Sequence, residues 1–355
     1  MANLAHPNLF SYATSELSQD AFICWLAEWA DPKYAEADPV LHQTGREFVL
    51  SMIRKVKPDY EASSLNMITV TKQAEKLDVL IEVNKESDNR LAILVEDKVH
   101  SNNFLGQLEK YYRAINEIFK YEDNQVVPIL LKTGYQSRFS IPPTYKTYLR
   151  GEFLDVLRMG KDKGVVNAIY DDFLDRLTSM DLAIKQFSTN TGKWGDDDWR
   201  GFFLILYEHL SEDGANWGYV SNRSGGFWGF WWHSRSITFK FKIYKLYLQL
   251  EKQILRFRIE FANDAESHQK EEVRNIINYY FLEQRQVNSS LPKPRYTKIK
   301  ADTKTVGLIK LNEYRVFDGN LFIDLDKTVK KLKEIEDVFD LVLAKLNLID
   351  QPNTD

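Results

Sequence analysis

Two short, largely β-branched apolar runs stand close together in the first third of the chain, Leu77-Asp-Val-Leu-Ile-Glu-Val83 and Leu91-Ala-Ile-Leu-Val-Glu-Asp-Lys98, with a polar stretch from Asn84 to Arg90 between them. That pattern predicts an antiparallel hairpin. Met67–Thr71 predicts a further strand leading into it. Upstream, Phe22, Trp25, Leu26 and Trp29 recur at helical spacing behind Thr14 or Ser15 as the cap, and Asp31-Pro32 stops the helix. A second helix is expected over about 41–56, with Phe48 and Ile53 inward. After the hairpin, Leu108, Tyr111, Tyr112, Ile115 and Phe119 form a helical stripe. Val126–Leu131 then reads as a short buried strand, in which Pro128 marks an edge or a bulge. Strands interleaved with helices in this order predict an α/β core: a mixed β-sheet flanked by helices.

Residues 165–211 continue in helical periodicity, through Phe173, Leu174 and Leu177 and later Phe202, Phe203, Leu206 and Leu210. Beyond Asp213-Gly214 the composition changes. Trp217 to Trp232 is dense in aromatics and glycine, and Phe239–Ile243 and Ile254–Ile259 alternate apolar with basic residues. A helix near 265–283, a strand pair near 306–325 and a last helix over 327–346 complete an α+β pattern. The expected organisation is a core over 1–160, a helical connector over 161–213, and a C-terminal α+β domain over 214–355 that binds substrate or a partner. No internal repeat is visible.

The hairpin also carries chemistry. A turn centred near Ser87 sets Asp78 opposite Glu96. Strand alternation puts Glu96 and Lys98 on one face and turns Asp97 to the other. Two carboxylates and an ammonium then converge at one end of the hairpin, an arrangement suited to a divalent cation and a water. A surface ion pair is the plainer reading and would be worth little. It leaves unexplained why Asp78 should oppose another carboxylate, which repels it unless a cation lies between.

Asp78 followed by Glu96-Asp97-Lys98 at the end of an apolar strand resembles the PD-(D/E)XK nuclease superfamily. Gln107-Leu-Glu-Lys-Tyr111 is similar to the Gln-x-x-x-Tyr of the helix after that strand in many members. Ala13-Thr-Ser-Glu16-Leu-Ser-Gln-Asp20-Ala-Phe22 is similar to the opening helix of one bacterial branch, in which a glutamate faces the site. Leu77 stands where the motif's name has proline, and Asp97 is polar where many members are apolar. The tripeptide alone discriminates poorly, since Asp31-Pro-Lys33 and Asp302-Thr-Lys304 also satisfy it.

The resemblance implies a restriction-endonuclease-like core and a metal-dependent nuclease that hydrolyses phosphodiester bonds, of DNA before RNA, with a role in restriction or phage defence. It implies Mg²⁺, for which Mn²⁺ can substitute, held by Asp78, Glu96, the backbone carbonyl of Asp97, and Glu16. Lys98 would hold the attacking water and Gln107 would assist catalysis, with Tyr111 touching substrate or packing in the core. Double-strand cutting would imply a homodimer. The competing reading is a catalytically silent nuclease-like fold that serves as a nucleic-acid-binding or protein-interaction module.

Composition narrows the setting. No apolar run approaches the roughly 20 residues that span a bilayer, so no membrane association is expected. The start of the chain lacks a signal-peptide pattern, and Cys24 is the sole cysteine among 355 residues, so a cytoplasmic location is expected. The net charge of −4 does not advertise nucleic-acid binding, but phosphate affinity follows local clusters. Residues 235–258 hold seven Lys and Arg against Glu251, and 285–304 hold six against Asp302. Arg223, Lys240, Lys242, Arg256 and Arg258 are the expected substrate contacts.

Overall fold

A computed structural model describes residues 7–99, 105–135, 141–210, 215–222, 225–239, 242–261, 265–287, 291, 293–294, 299–300 and 302–349. Backbone contacts divide the chain into two compact units, parting between Leu182 and Ala183.

The first unit begins with α1 (Glu16–Glu28), whose Ser15 cap accepts from Ser18 N–H, and α2 (Pro39–Arg54), capped by Asp38 with proline at its first position. Strands β1 (Ile68–Ala74), β2 (Leu77–Val83) and β3 (Leu91–Lys98) follow as an antiparallel meander. Helix α3 (Leu105–Ile118) leads to β4 (Val126–Lys132), then β5 (Lys146–Leu149), α4 (Arg150–Asp162) and α5 (Ala168–Ala183). The sheet runs in the order β1-β2-β3-β4-β5, antiparallel up to β3 and parallel from β3 to β5. It is a mixed sheet, as the hydrophobic pattern predicts. The hairpin register pairs Val79 with Val95 and Val83 with Leu91, which centres the turn on Ser87. Asn84 closes that turn, its buried Oδ1 accepting from the N–H groups of Asn66 and Met67 at 3.0 Å each.

Strand alternation sorts the sheet into two faces. Val79, Ile81, Ile93, Val95, Ile129 and Leu131 pack with Phe22, Phe48, Phe153 and Phe173 from α1, α2, α4 and α5. Leu80, Ala92 and Leu94 pack with Tyr111 and Ile115 of α3. Asp31 fastens the end of α1 to the sheet, its Oδ2 accepting from Ile68 N–H at 2.8 Å.

The second unit holds α6 (Asp196–Leu210), β6 (Asn216–Val220), β7 (Phe227–Phe239), β8 (Lys242–Glu251), β9 (Ile254–Glu260), α7 (Ser267–Val287), β10 (Thr305–Leu311) and α8 (Leu325–Ile349). Its antiparallel sheet runs β10-β9-β8-β7-β6. Tyr244, Leu246, Leu248 and Leu250 alternate with more exposed residues along β8, as do Leu255, Phe257 and Ile259 along β9. Phe257 meets Phe281 of α7 and Phe339 of α8, and Phe230 meets Phe203 of α6, so these helices cover the buried face.

Two local expectations need correction. Pro128 lies in β4, an interior strand. It is tolerated there because β5 meets β4 only from Ile129 onward, so one flank beside Pro128 is unpaired and a missing N–H costs no ladder bond. The strand pair expected over 306–325 is one strand, β10, followed by a loop with a single bridge between Phe317 and Ile323. The N–H of Val316 is taken by Thr328 Oγ1 at 2.9 Å, and Asp318 Oδ1 accepts from Asn320 and Phe322. Side chains thus satisfy the backbone that a second strand would have used.

Candidate active site

Lys98 ends β3 on the face shared with Leu94 and Ala92, and Asp78, the second residue of β2, lies on the face shared with Leu80. The ladder that pairs Val79 with Val95 therefore carries Asp78 and Glu96 to the same end of the same face. The outcome is a tight cluster. Lys98 Nζ lies 2.6 Å from Glu96 Oε1, 2.8 Å from the Asp97 carbonyl oxygen and 3.2 Å from Asp78 Oδ2. Asp78 Oδ2 also accepts from the Asp97 N–H at 2.9 Å, which locks its carboxylate to the β3 backbone. Glu96 is fully buried, and its Oε2 has no hydrogen-bond partner.

Burial governs the charges here. Desolvation, then the charge of Asp78, raises the Glu96 pKa to about 7 against the pull of Lys98. Burial works against the Lys98 ammonium, but hydrogen bonds and charge from Glu96 and Asp78 outweigh it and hold its pKa above the ordinary lysine range. Lys98 is therefore held as the cation of this cluster.

Three oxygens thus face one positive charge: two carboxylate oxygens and one main-chain carbonyl. Oxygen donors in that combination suit a hard divalent cation, and the unpartnered Glu96 Oε2 is a buried acceptor with coordination to spare. The residues fit such an ion. Among the described residues no group of three His, Cys, Asp or Glu side chains stands together as a metal cage, so a cation here would rest on two carboxylates, the carbonyl and water.

The opposite face of β3 carries a second polar group. Asp97, fully buried, accepts on Oδ1 from Gln19 Nε2 at 2.5 Å, and Gln19 Oε1 accepts in turn from Thr133 Oγ1 at 2.9 Å. Asp20, also of α1 and only 1% exposed, lies beside Asp97. Burial and then the charge of Asp78 raise the Asp20 pKa to about 6. Desolvation, then the charge of Asp20, raises the Asp97 pKa well above its ordinary value. Glu16 Oε1 accepts from the Val99 N–H at 2.8 Å. It therefore braces the end of β3 from the α1 side.

Gln107 and Tyr111 sit one turn apart on α3, with Gln107 Nε2 donating to Tyr111 Oη at 2.5 Å. Tyr111 is buried against Leu80 and Leu94. Its pKa is raised by burial first and then, beyond the opposing bond from Gln107, by the charges of Glu96 and Asp78, which places its hydroxyl within electrostatic reach of the cluster. In the second unit Arg256 and Arg258 share a strand face, while Lys242 has the parity of Tyr244 and Leu246 on the covered face. Arg223 and Lys240 lie outside the described residues.

Sequence reasoning passed over Gln19, Asp20, Thr133 and Lys132. Asp20 stands one helical turn beyond Glu16, a spacing that would have paired them. Lys132 pairs with Lys98 across the parallel ladder. It is 2% exposed, its Nζ donates to the Val99 carbonyl at 3.4 Å, and burial lowers its pKa to about 8. A lysine ending a fully buried strand was its only signal.

A five-stranded mixed sheet with helices on both faces, carrying Asp, Glu and Lys at the joint end of two strands, has the architecture of the restriction-endonuclease-like folds. The family model described as PD-(D/E)XK nuclease superfamily matches residues 7–197. The chain belongs to that superfamily, and membership supports a nuclease. No curated protein and no solved structure matches it significantly.

Proposed function

We propose that the protein is a metal-dependent nuclease that hydrolyses phosphodiester bonds of nucleic acid, DNA in preference to RNA, and that it acts in restriction or phage defence. The reading rests above all on the convergence of Asp78 Oδ2, Glu96 Oε1 and the Asp97 carbonyl on one point, now taken by Lys98 Nζ. Mg²⁺, or Mn²⁺ in its place, is the cation proposed for those oxygens; when bound it would neutralise phosphate charge and lower the pKa of a coordinated water.

The chain's own groups would do the rest. Asp78 and Glu96 would supply the anionic seat. Lys98 would hold the attacking water by hydrogen bonding and offset the charge that builds on the phosphate oxygens. Gln107 and Tyr111 offer amide and phenol donors from α3 for a non-bridging phosphate oxygen. Asp97, Gln19, Asp20 and Glu16 are proposed as positioning residues that fix the end of β3 from behind.

The test is cleavage of labelled single-stranded DNA, duplex DNA and RNA with Mg²⁺, Mn²⁺ or a chelator. Metal-dependent products are expected, with Asp78→Ala and Lys98→Ala each lowering the rate by at least about a hundredfold while circular dichroism stays unchanged. Cleavage that persists in chelator, or survives both substitutions, would refute the proposal. Oligonucleotide binding without any cleavage would favour the silent module instead.

A further inference from the structure

The sheet of the second unit has a face that the fold leaves to solvent, and its residues are not those of a solvated surface. Strand register lines up Trp231 of β7, Gln249 of β8, Arg256 of β9 and Lys310 of β10 as one row across four strands. The adjoining row carries Tyr247, Arg258 and Gly307. Lys245 stands on the same face one step further along β8. The patch sets four cations, Lys245, Arg256, Arg258 and Lys310, against the carboxylates of Glu251 and Glu260. This is a local excess of positive charge in a chain whose net charge is −4.

Glycines shape the patch. Side chains at Gly229 and Gly218 would begin only 3.4 and 4.0 Å from the Trp231 ring, and one at Gly307 would meet Arg256 and Arg258 at 3.6 and 3.8 Å. With no side chains at these two positions, the indole of Trp231 lies over Gly229 and Gly218 on this face of the sheet. A hollow of about 250 Å³, lined by Trp231, Trp232, Ser234, Lys245, Tyr247, Gln249 and Glu260, opens beside it. The β-bulge between Trp232 and Arg235 lies at this hollow. That volume falls below the roughly 300–1,000 Å³ of pockets that enclose a whole small ligand, and suits one planar ring at a time.

We propose that this face binds a single-stranded stretch of nucleic acid, with bases stacked on Trp231 and Tyr247 and phosphates held by Arg256, Arg258, Lys245 and Lys310. The inference rests on the nuclease reading and deepens it by naming the substrate class. Stacking on aromatic rings needs bases whose faces are free, which a duplex withholds. Guanidinium and ammonium groups interleaved with aromatics complement a phosphate backbone; Arg256 is held in place by an ion pair with Glu251 at 2.6 Å, and Arg258 by donating to Thr305 Oγ1 at 2.8 Å.

The experiment measures fluorescence anisotropy of a labelled oligothymidylate, and of a duplex of mixed sequence, with the full chain in chelator so that no cleavage intervenes. Expected is binding of the single strand well above the duplex, with affinity falling steeply as salt rises. Trp231→Ala and Tyr247→Ala should each weaken it about tenfold or more. Arg258→Gln, which leaves the aromatic packing in place, should reduce the slope of log affinity against log salt by about one. Equal binding by the Trp231→Ala and Arg258→Gln proteins, equal affinity for duplex, or no oligonucleotide binding with capture of a protein instead, would each overturn the inference. Cleavage that ignores both substitutions sinks this surface but leaves the nuclease reading. Single-strand binding without cleavage under Mn²⁺ does the reverse.

Discussion

Lys98 occupies the position that the oxygens of Asp78, Glu96 and Asp97 surround, at 2.6–3.2 Å. Magnesium–oxygen distances are about 2.0–2.1 Å, so a cation there requires the ammonium to swing away and the oxygens to close. Metal and lysine therefore compete for one seat. Removing the ammonium frees that seat, and Lys98→Ala is expected to bind Mn²⁺ at least about fivefold more tightly than the parent in a calorimetric titration, because a like charge is gone. Weaker binding by the variant would contradict this. Behind the strand, Asp20 has its pKa raised from 3.8 to about 6 by burial and by Asp78. An acid that holds its proton more tightly when folded contributes stability below its unfolded pKa, and that contribution is lost as pH rises through the folded value. Asp20→Asn should therefore raise the melting temperature in chelator at pH 7.5, with the gain vanishing near pH 3.5. The same gain at both pH values would rule the charge out as the cause.

The site is assembled by elements that meet closely. Helix α1 carries Glu16, Gln19 and Asp20, and its last turns lie against α2 at Gly45, where a Cβ would come within 2.7 Å of the Leu26 carbonyl and 2.8 Å of Ala30 N. Neither backbone can yield locally, so Gly45→Ala is expected to cost about 1–3 kcal/mol in urea unfolding; an unchanged midpoint would show that the helices separate freely. The same level explains what could be read from the chain. The hairpin was legible because strand periodicity of two, turn chemistry and symmetry about Ser87 all point to one register, and that register brings Asp78 to Glu96. Which residues back the strand from behind was not. Glu16 and Asp20 reach β3 only through the packing of α1 on the sheet, a contact between distant segments with no local pattern. The short β5 and the loop after β10 escaped for a related reason. β5 spans four residues, and the loop is held by Thr328 and Asp318 side chains in place of a ladder.

At the scale of the whole molecule, the described apolar side chains form one core around the mixed sheet, packed on both its faces, and another beneath the antiparallel sheet. Among the described residues no helix is long and apolar enough to cross a membrane. If each core melts as its own cooperative unit, scanning calorimetry should resolve two transitions. Mn²⁺ at a hundred times its dissociation constant should then stabilise the one that carries Asp78 by about 2.7 kcal/mol and leave the other in place. A shift confined to the wrong transition would remove the proposed seat from the first unit. The composition of the second unit was readable as aromatic and basic, but the sharing of faces was not, since it took the β8–β9 register to bring Arg256 and Arg258 into rows with Trp231 and Tyr247 and to turn Lys242 away. The claim on which the account depends can be seen directly in the anomalous scattering of a crystal grown with Mn²⁺. The account predicts a peak bounded by Asp78, Glu96 and the Asp97 carbonyl, with the Lys98 ammonium displaced from that point. No peak there, with Lys98 still seated between the two carboxylates, would contradict it.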